Sequence, residues 1–95
     1  MKEITEEKLT KYFSVTRKAL QILKIAAPTK TPLYNIAKDY LEMAVRYFKD
    51  AAHFKEKGDY VNAFAALNYA HGWLDAGARI GLFDVNHNSE LFTVD

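Results

Sequence analysis

YFKDAAHFKEKGDYVNAFAALNYAHGWLDAG, residues 47–77, sets two apolar helical patterns on either side of the short turn Lys57-Gly58-Asp59. Gly58 can take the left-handed conformation that closes one helix, and the Asp59 side chain can accept from the free amides that open the next. The two helices must therefore run antiparallel. Before the turn, Leu33, Ala37, Tyr40, Ala44, Tyr47, Ala51 and Phe54 recur at three- and four-residue steps, alternating large with small. After it, Tyr60, Phe64, Leu67, His71, Leu74 and Ala78 repeat the spacing beside a second strip of Ala63, Ala66, Ala70 and Gly77. Small residues on both sides let the backbones approach closely.

Working outward, the segment toward the N-terminus predicts a first helix over about residues 5–27. Thr5 is placed to cap it, Glu6 and Glu7 sit at the positive end of its dipole, and Ile4 and Leu9 have the spacing of a hydrophobic staple. Leu9, Tyr12, Phe13, Thr16, Ala19, Leu20, Leu23 and Ala27 trace its inner face. Val15, Ile22 and Ile25 fall on a second side and require their own cover. Pro28 and Pro32 bracket a linker, because proline cannot continue a helix and is favoured at the first position of the next. A second helix is expected over about 32–57 and a third over about 60–80, with Gly81 as the left-handed residue beyond it. Tyr34, Leu41 and Phe48 add a second apolar stripe to the middle helix. Two stripes mean two neighbours, and an all-α, up-down-up three-helix bundle follows as a single domain over 1–95. The tail from residue 82 carries Leu82, Phe83, Val85, Leu91, Phe92 and Val94, too many apolar residues for free solvation, so it is expected to pack on the bundle.

The composition excludes several classes of function. Ninety-five residues make one modest core. Thirteen basic against twelve acidic residues leave a formal charge of +1, so net charge does not indicate a nucleic-acid partner. There is no cysteine and hence no disulfide framework or thiolate zinc site. The start MKEITEEK lacks the apolar core of a signal peptide, and no apolar run reaches the roughly 18 residues of a membrane span. A cytoplasmic protein that does not enter membranes is the expectation.

No run of residues carries a recognisable reaction, and no catalytic residue or cofactor is assigned. His53 with Asp50 and His71 with Asp75 each share a helix face, but the turn at Gly58 holds the two pairs about 10 Å apart at 1.5 Å per residue, too far to share one ion. His71 on the apolar seam reads as a hydrogen-bonded core histidine, and no metal is expected. Asp39, Arg46, Asp75 and Arg79 flank the seams, with Asp39 opposite Arg79 and Arg46 opposite His71. Structural ion pairs are their ordinary use. A sharper use would be a polar cluster of Arg46, His71, Asp75 and Arg79 acting on a nucleotide or nucleic acid. The hairpin is also similar to a single tetratricopeptide unit, but about three copies are needed for a solenoid and only one is present. The interval from Arg79 to His87 is longer than the one in helical HEPN ribonucleases.

The run Lys57–Phe83, KGDYVNAFAALNYAHGWLDAGARIGLF, with Tyr40–Phe54 before it, resembles the uncharacterised archaeal family called domain of unknown function 357. The block Tyr69 to Gly77 is its most specific part. The resemblance implies a compact helical bundle in an archaeal cytoplasm and no reaction. The leading functional reading is a non-enzymatic interaction or oligomerisation module. Its candidate surfaces are Tyr69, Ala76 and Ile80 on the third helix and Val15, Ile22 and Ile25 on the first, and a symmetric homodimer is expected to bury whichever patch the tail leaves open.

Overall fold

The computed structural model describes residues 4–92. Three helices, α1 (Glu6–Ile22), α2 (Pro32–Glu56) and α3 (Tyr60–Arg79), are joined at one end by a short antiparallel ladder of β1 (Lys24–Ile25) and β2 (Phe83–Asp84). The bundle is elongated, 45 × 24 × 20 Å.

Local chemistry sets the helix starts. Thr5, Thr31 and Asp59 each accept from the backbone amide three residues on, Lys8, Tyr34 and Asn62, and Pro32 opens α2 where its missing amide costs nothing. The ends of α2 and α3 are closed by one device used twice. Gly58 (φ 77°) donates to Lys55 O while Asp59 N–H reaches back to Phe54 O; Gly81 (φ 84°) donates to Ala78 O while Leu82 N–H reaches Gly77 O. The last carbonyls of both helices are thereby satisfied.

Packing is centred on α3. It lies along α2 through Ala37, Ala44 and Ala51 on one side and Ala63, Ala66 and Ala70 on the other, all buried. Helix α1 rests in the groove of this hairpin, with neighbouring residues reaching different helices. Tyr12 meets Phe64 of α3 edge-to-face at 5.0 Å between ring centroids, and Phe13 meets Phe48 of α2 at 5.6 Å. Lys8 over Phe64, Arg17 over Phe48 and Lys55 over Phe13 close this aromatic seam to water with their stems and cationic heads. The core divides along the long axis. Leu9, Phe13 and Leu67 fill the half near the turn, and Ala19, Leu74, Leu82, Phe83, Val85 and Phe92 fill the half near the ladder.

Three expectations need correction. Helix α1 stops at Ile22, short of residue 27, because Leu23 turns extended and Lys24–Ile25 pair with Asp84 and Phe83, followed by Ala26 N–H to Leu82 O. Ile25 is therefore a strand residue packed on the ladder-end core, not part of an apolar side of α1. Leu33 is 56% exposed and outside the seam it was placed on. The tail does pack on the bundle, through Leu82, Phe83, Val85 and Phe92; Val94 lies outside the described residues.

Candidate interaction surface

Helix α3 buries an arc made by Ala63, Leu67, Ala70, Leu74 and Gly77. The opposite arc faces outward, and its composition is unusual for a solvated helix face. From Tyr60 to Leu74 the helix contains no Asp, Glu, Lys or Arg. Val61 is 69% exposed, Tyr69 55% and Ile80 62%, with exposed Ala65, Gly72 and Ala76 between them. A surface helix normally carries its charge there.

Two shallow depressions run beside this ridge. On the α2 side one of about 310 Å³ is lined by Tyr40, Tyr69, Trp73 and Ala76, where Tyr40 meets Trp73 edge-to-face at 5.0 Å and Tyr47 meets Tyr69 at 4.4 Å. On the α1 side one of about 230 Å³ is lined by Tyr12, Val15, Thr16, Asn68, His71 and Asp75. Gly72 belongs to both, so the lack of a side chain at this position keeps the ridge low.

His71 forms a clamp between three parts of the chain. Its Nε2 lies 2.6 Å from the Leu91 carbonyl oxygen, which only accepts, so Nε2 carries the hydrogen and donates. In that tautomer Nδ1 accepts from the hydroxyl of Thr16, 3.2 Å away and 2% exposed. Asp75 Oδ1 stands 3.7 Å from Nε2. Helix α1, helix α3 and the tail thus share one imidazole, and the Phe92 ring lies beside it at 6.1 Å.

The four residues proposed as a polar cluster do not share a site. His71 and Asp75 come together one helical turn apart. Arg46 lies in a separate depression on the outer face of α2 with Lys38, Leu41 and Lys49. Arg79, exposed in the last turn of α3, continues the row of Asn68 and Gly72 and puts one charge at the C-terminal end of the open face. Among the described residues no ion pair joins Arg79 to Asp39, because the helices meet through alanines that leave the charged rows pointing outward. Among the described residues no three His, Cys, Asp or Glu side chains converge as metal ligands, and no helix is long and apolar enough to cross a membrane.

Of the predicted surface residues, Tyr69, Ala76 and Ile80 are exposed together on the α3 arc, Ile22 is 39% exposed on α1, and Val15 is half-buried in the cleft. The described part of the tail does not cover the α3 arc, since Phe83 and Phe92 are spent inside the core. Sequence reading missed Thr16 as the partner of His71; a lone threonine on an otherwise apolar face is the signal that points to it. It also missed Gly72, whose distinguishing mark is a glycine midway along a helix with no turn to make.

What these features define is a helical bundle whose central helix carries an open face that is free of charge from Tyr60 to Leu74 and uncovered among the described residues. The chain belongs to the family described as protein of unknown function (DUF357), whose model matches residues 11–83. The match takes in most of α1, all of α2 and α3 and the start of β2, so the open face lies wholly within the family's span. No curated protein and no solved structure matches the chain.

Proposed function

We propose that this protein is a small cytoplasmic interaction module that works by docking the outward face of α3 rather than by catalysing a reaction. The observation that carries the reading is the outward arc from Val61 to Ile80, free of charge as far as Leu74, on a helix whose opposite arc is fully used in the core. Scattered exposed apolar residues are ordinary on any protein; a contiguous strip bordered by polar rows is the pattern of a contact surface. Small residues at Ala65, Gly72 and Ala76 suit close approach by another helix, and Tyr69 supplies the aromatic anchor such contacts favour.

A photo-reactive amino acid at position 69, with a matched control at Glu42 on the far side of α2, tests this in cells. Discrete adducts from position 69 and none from position 42 are expected. No adduct at 69, or the same pattern from both positions, overturns the reading.

A further inference from the structure

The charged rows beside the open face name its occupant. Helix α1 runs in the same direction as α3, since Tyr12 lies beside Phe64 and Thr16 beside His71. Helix α2 runs oppositely, with Tyr47 beside Tyr69 and Tyr40 beside Trp73. One step outward from Tyr12, α1 carries Lys11, Val15, Lys18 and Ile22 at four-three-four spacing; one step outward from Tyr40 and Tyr47, α2 carries Asp39, Met43, Arg46 and Asp50 at the same spacing. The open ridge is therefore bordered by lysines on one side and chiefly by aspartates on the other.

Resting on the reading of the α3 face as a docking surface, we infer that its occupant is a second copy of this chain, paired about a two-fold axis parallel to α3. A two-fold can join two such faces in two ways. An axis across α3 makes the helices antiparallel and sets α1 against the partner's α1, lysine row against lysine row. An axis along α3 makes them parallel and sets each α1 against the partner's α2. Heights then agree. Lys11, next to Tyr12 at the level of Phe64, comes level with the partner's Asp50, which lies one turn from Tyr47 toward the hairpin turn. Arg46 comes level with Val15 and meets no lysine. At the far end Ile22 comes level with the partner's Ile36, itself 44% exposed. Along the bordering rows, opposite charges and apolar ends match only in the parallel arrangement, and like charges brought face to face oppose the other; on the ridge itself the one charge, exposed Arg79, stands at its C-terminal end. The small residues along the ridge let the two copies of α3 approach at the axis.

The chain has no cysteine, so single cysteines report the geometry directly. Ala65→Cys and Ala76→Cys, both exposed, should each form a disulfide-linked dimer alone under mild oxidation, and mixing the two variants should add no 65-to-76 species. Lys11→Asp should weaken association about tenfold, since the two-fold repeats the pair, and Lys11→Asp with Asp50→Lys should restore it. Three results overturn the inference. These are a 65-to-76 cross-link without the single-variant ones, a monomer with no cross-link, and a dimer indifferent to both charge swaps. Each leaves the docking face itself to be judged by the adducts at position 69, whose masses separate a second copy from any other partner.

Discussion

Two glycines in one helix have opposite reasons to be there. Beyond the Cα of Gly77 stands the Phe83 ring, where the Cβ of any other residue would sit, whereas nothing lies within 4 Å of the corresponding point at Gly72. Replacing helical glycine by alanine gains about 1 kcal/mol from backbone entropy when space allows. Gly72→Ala should therefore raise the urea midpoint of dilute protein, while Gly77→Ala should lower stability by about 1–2 kcal/mol net, because displacing a packed aromatic outweighs that gain. A rise in both would mean that Phe83 does not lie on Gly77. The reading of Gly77 as one of several small seam residues was right about close approach but named the wrong neighbour, a ring from the tail rather than a helix backbone. The His71 clamp is decided at the same scale. Thr16→Val keeps shape and removes the hydroxyl, leaving Nδ1 of a mostly buried imidazole without its donor, so it should cost about 1–2 kcal/mol. Amide exchange at Phe92 should quicken in the same variant, since the imidazole that Thr16 orients holds the Leu91 carbonyl; unchanged exchange there would show that the tail is held independently of His71.

At the scale of elements, what could be read from the chain was what depends on neighbours a few residues away. Thr5, Thr31 and Asp59 cap as their positions imply, and Gly58 and Gly81 take positive φ just past α2 and α3. The end of α1 escaped because its cause is remote. Lys24 and Ile25 leave the helix to pair with Asp84 and Phe83, and no periodicity within Leu9–Ala27 announces a partner from the other end of the chain. Leu33 escaped for a related reason, since spacing places a residue on a face but does not say how far the neighbouring helix extends. The turn gives a direct check. No side chain crowds Gly58, so Gly58→Ala should cost only the left-handed backbone term, about 1–2 kcal/mol, and Gly58→Val more. Asp59→Ala should cost about 1 kcal/mol through the lost cap on Asn62 N–H. Denaturant midpoints equal to the parent's in all three would refute this turn. On the seam itself, Ala51 and Ala70 are fully buried, so Ala51→Leu or Ala70→Leu should overpack by about 1–3 kcal/mol. Melting temperatures at or above the parent's would place these alanines elsewhere.

For the whole molecule, the arrangement of three helices was legible and the position of the open face was only half so. Composition indicated that α3 had too few polar positions for a solvated helix, and Val15, Ile22 and Ile25 competed with it as the exposed patch. The ladder removes Ile25 from that competition, the cleft beside Thr16 partly takes in Val15, and the tail's aromatic residues go inward. Tyr69 and Ile80 are left uncovered, with Ile22 at the margin. This ordering predicts unequal effects of introducing charge. Tyr69→Glu places a carboxylate on the ridge, where burial in a dimer would strip its water, and it should leave a particle of the single-chain mass, 10.9 kDa, at micromolar concentration. Ile22→Glu lies at the rim, where water still reaches, and should weaken association without abolishing it. Light scattering across a dilution series reads both, with far-ultraviolet circular dichroism to verify that helix content is kept, as it should be at two exposed positions. The parent should show twice the single-chain mass and shift toward it on dilution. If Ile22→Glu dissociates the dimer and Tyr69→Glu does not, the buried patch lies on α1, and the open face of α3 has some other occupant.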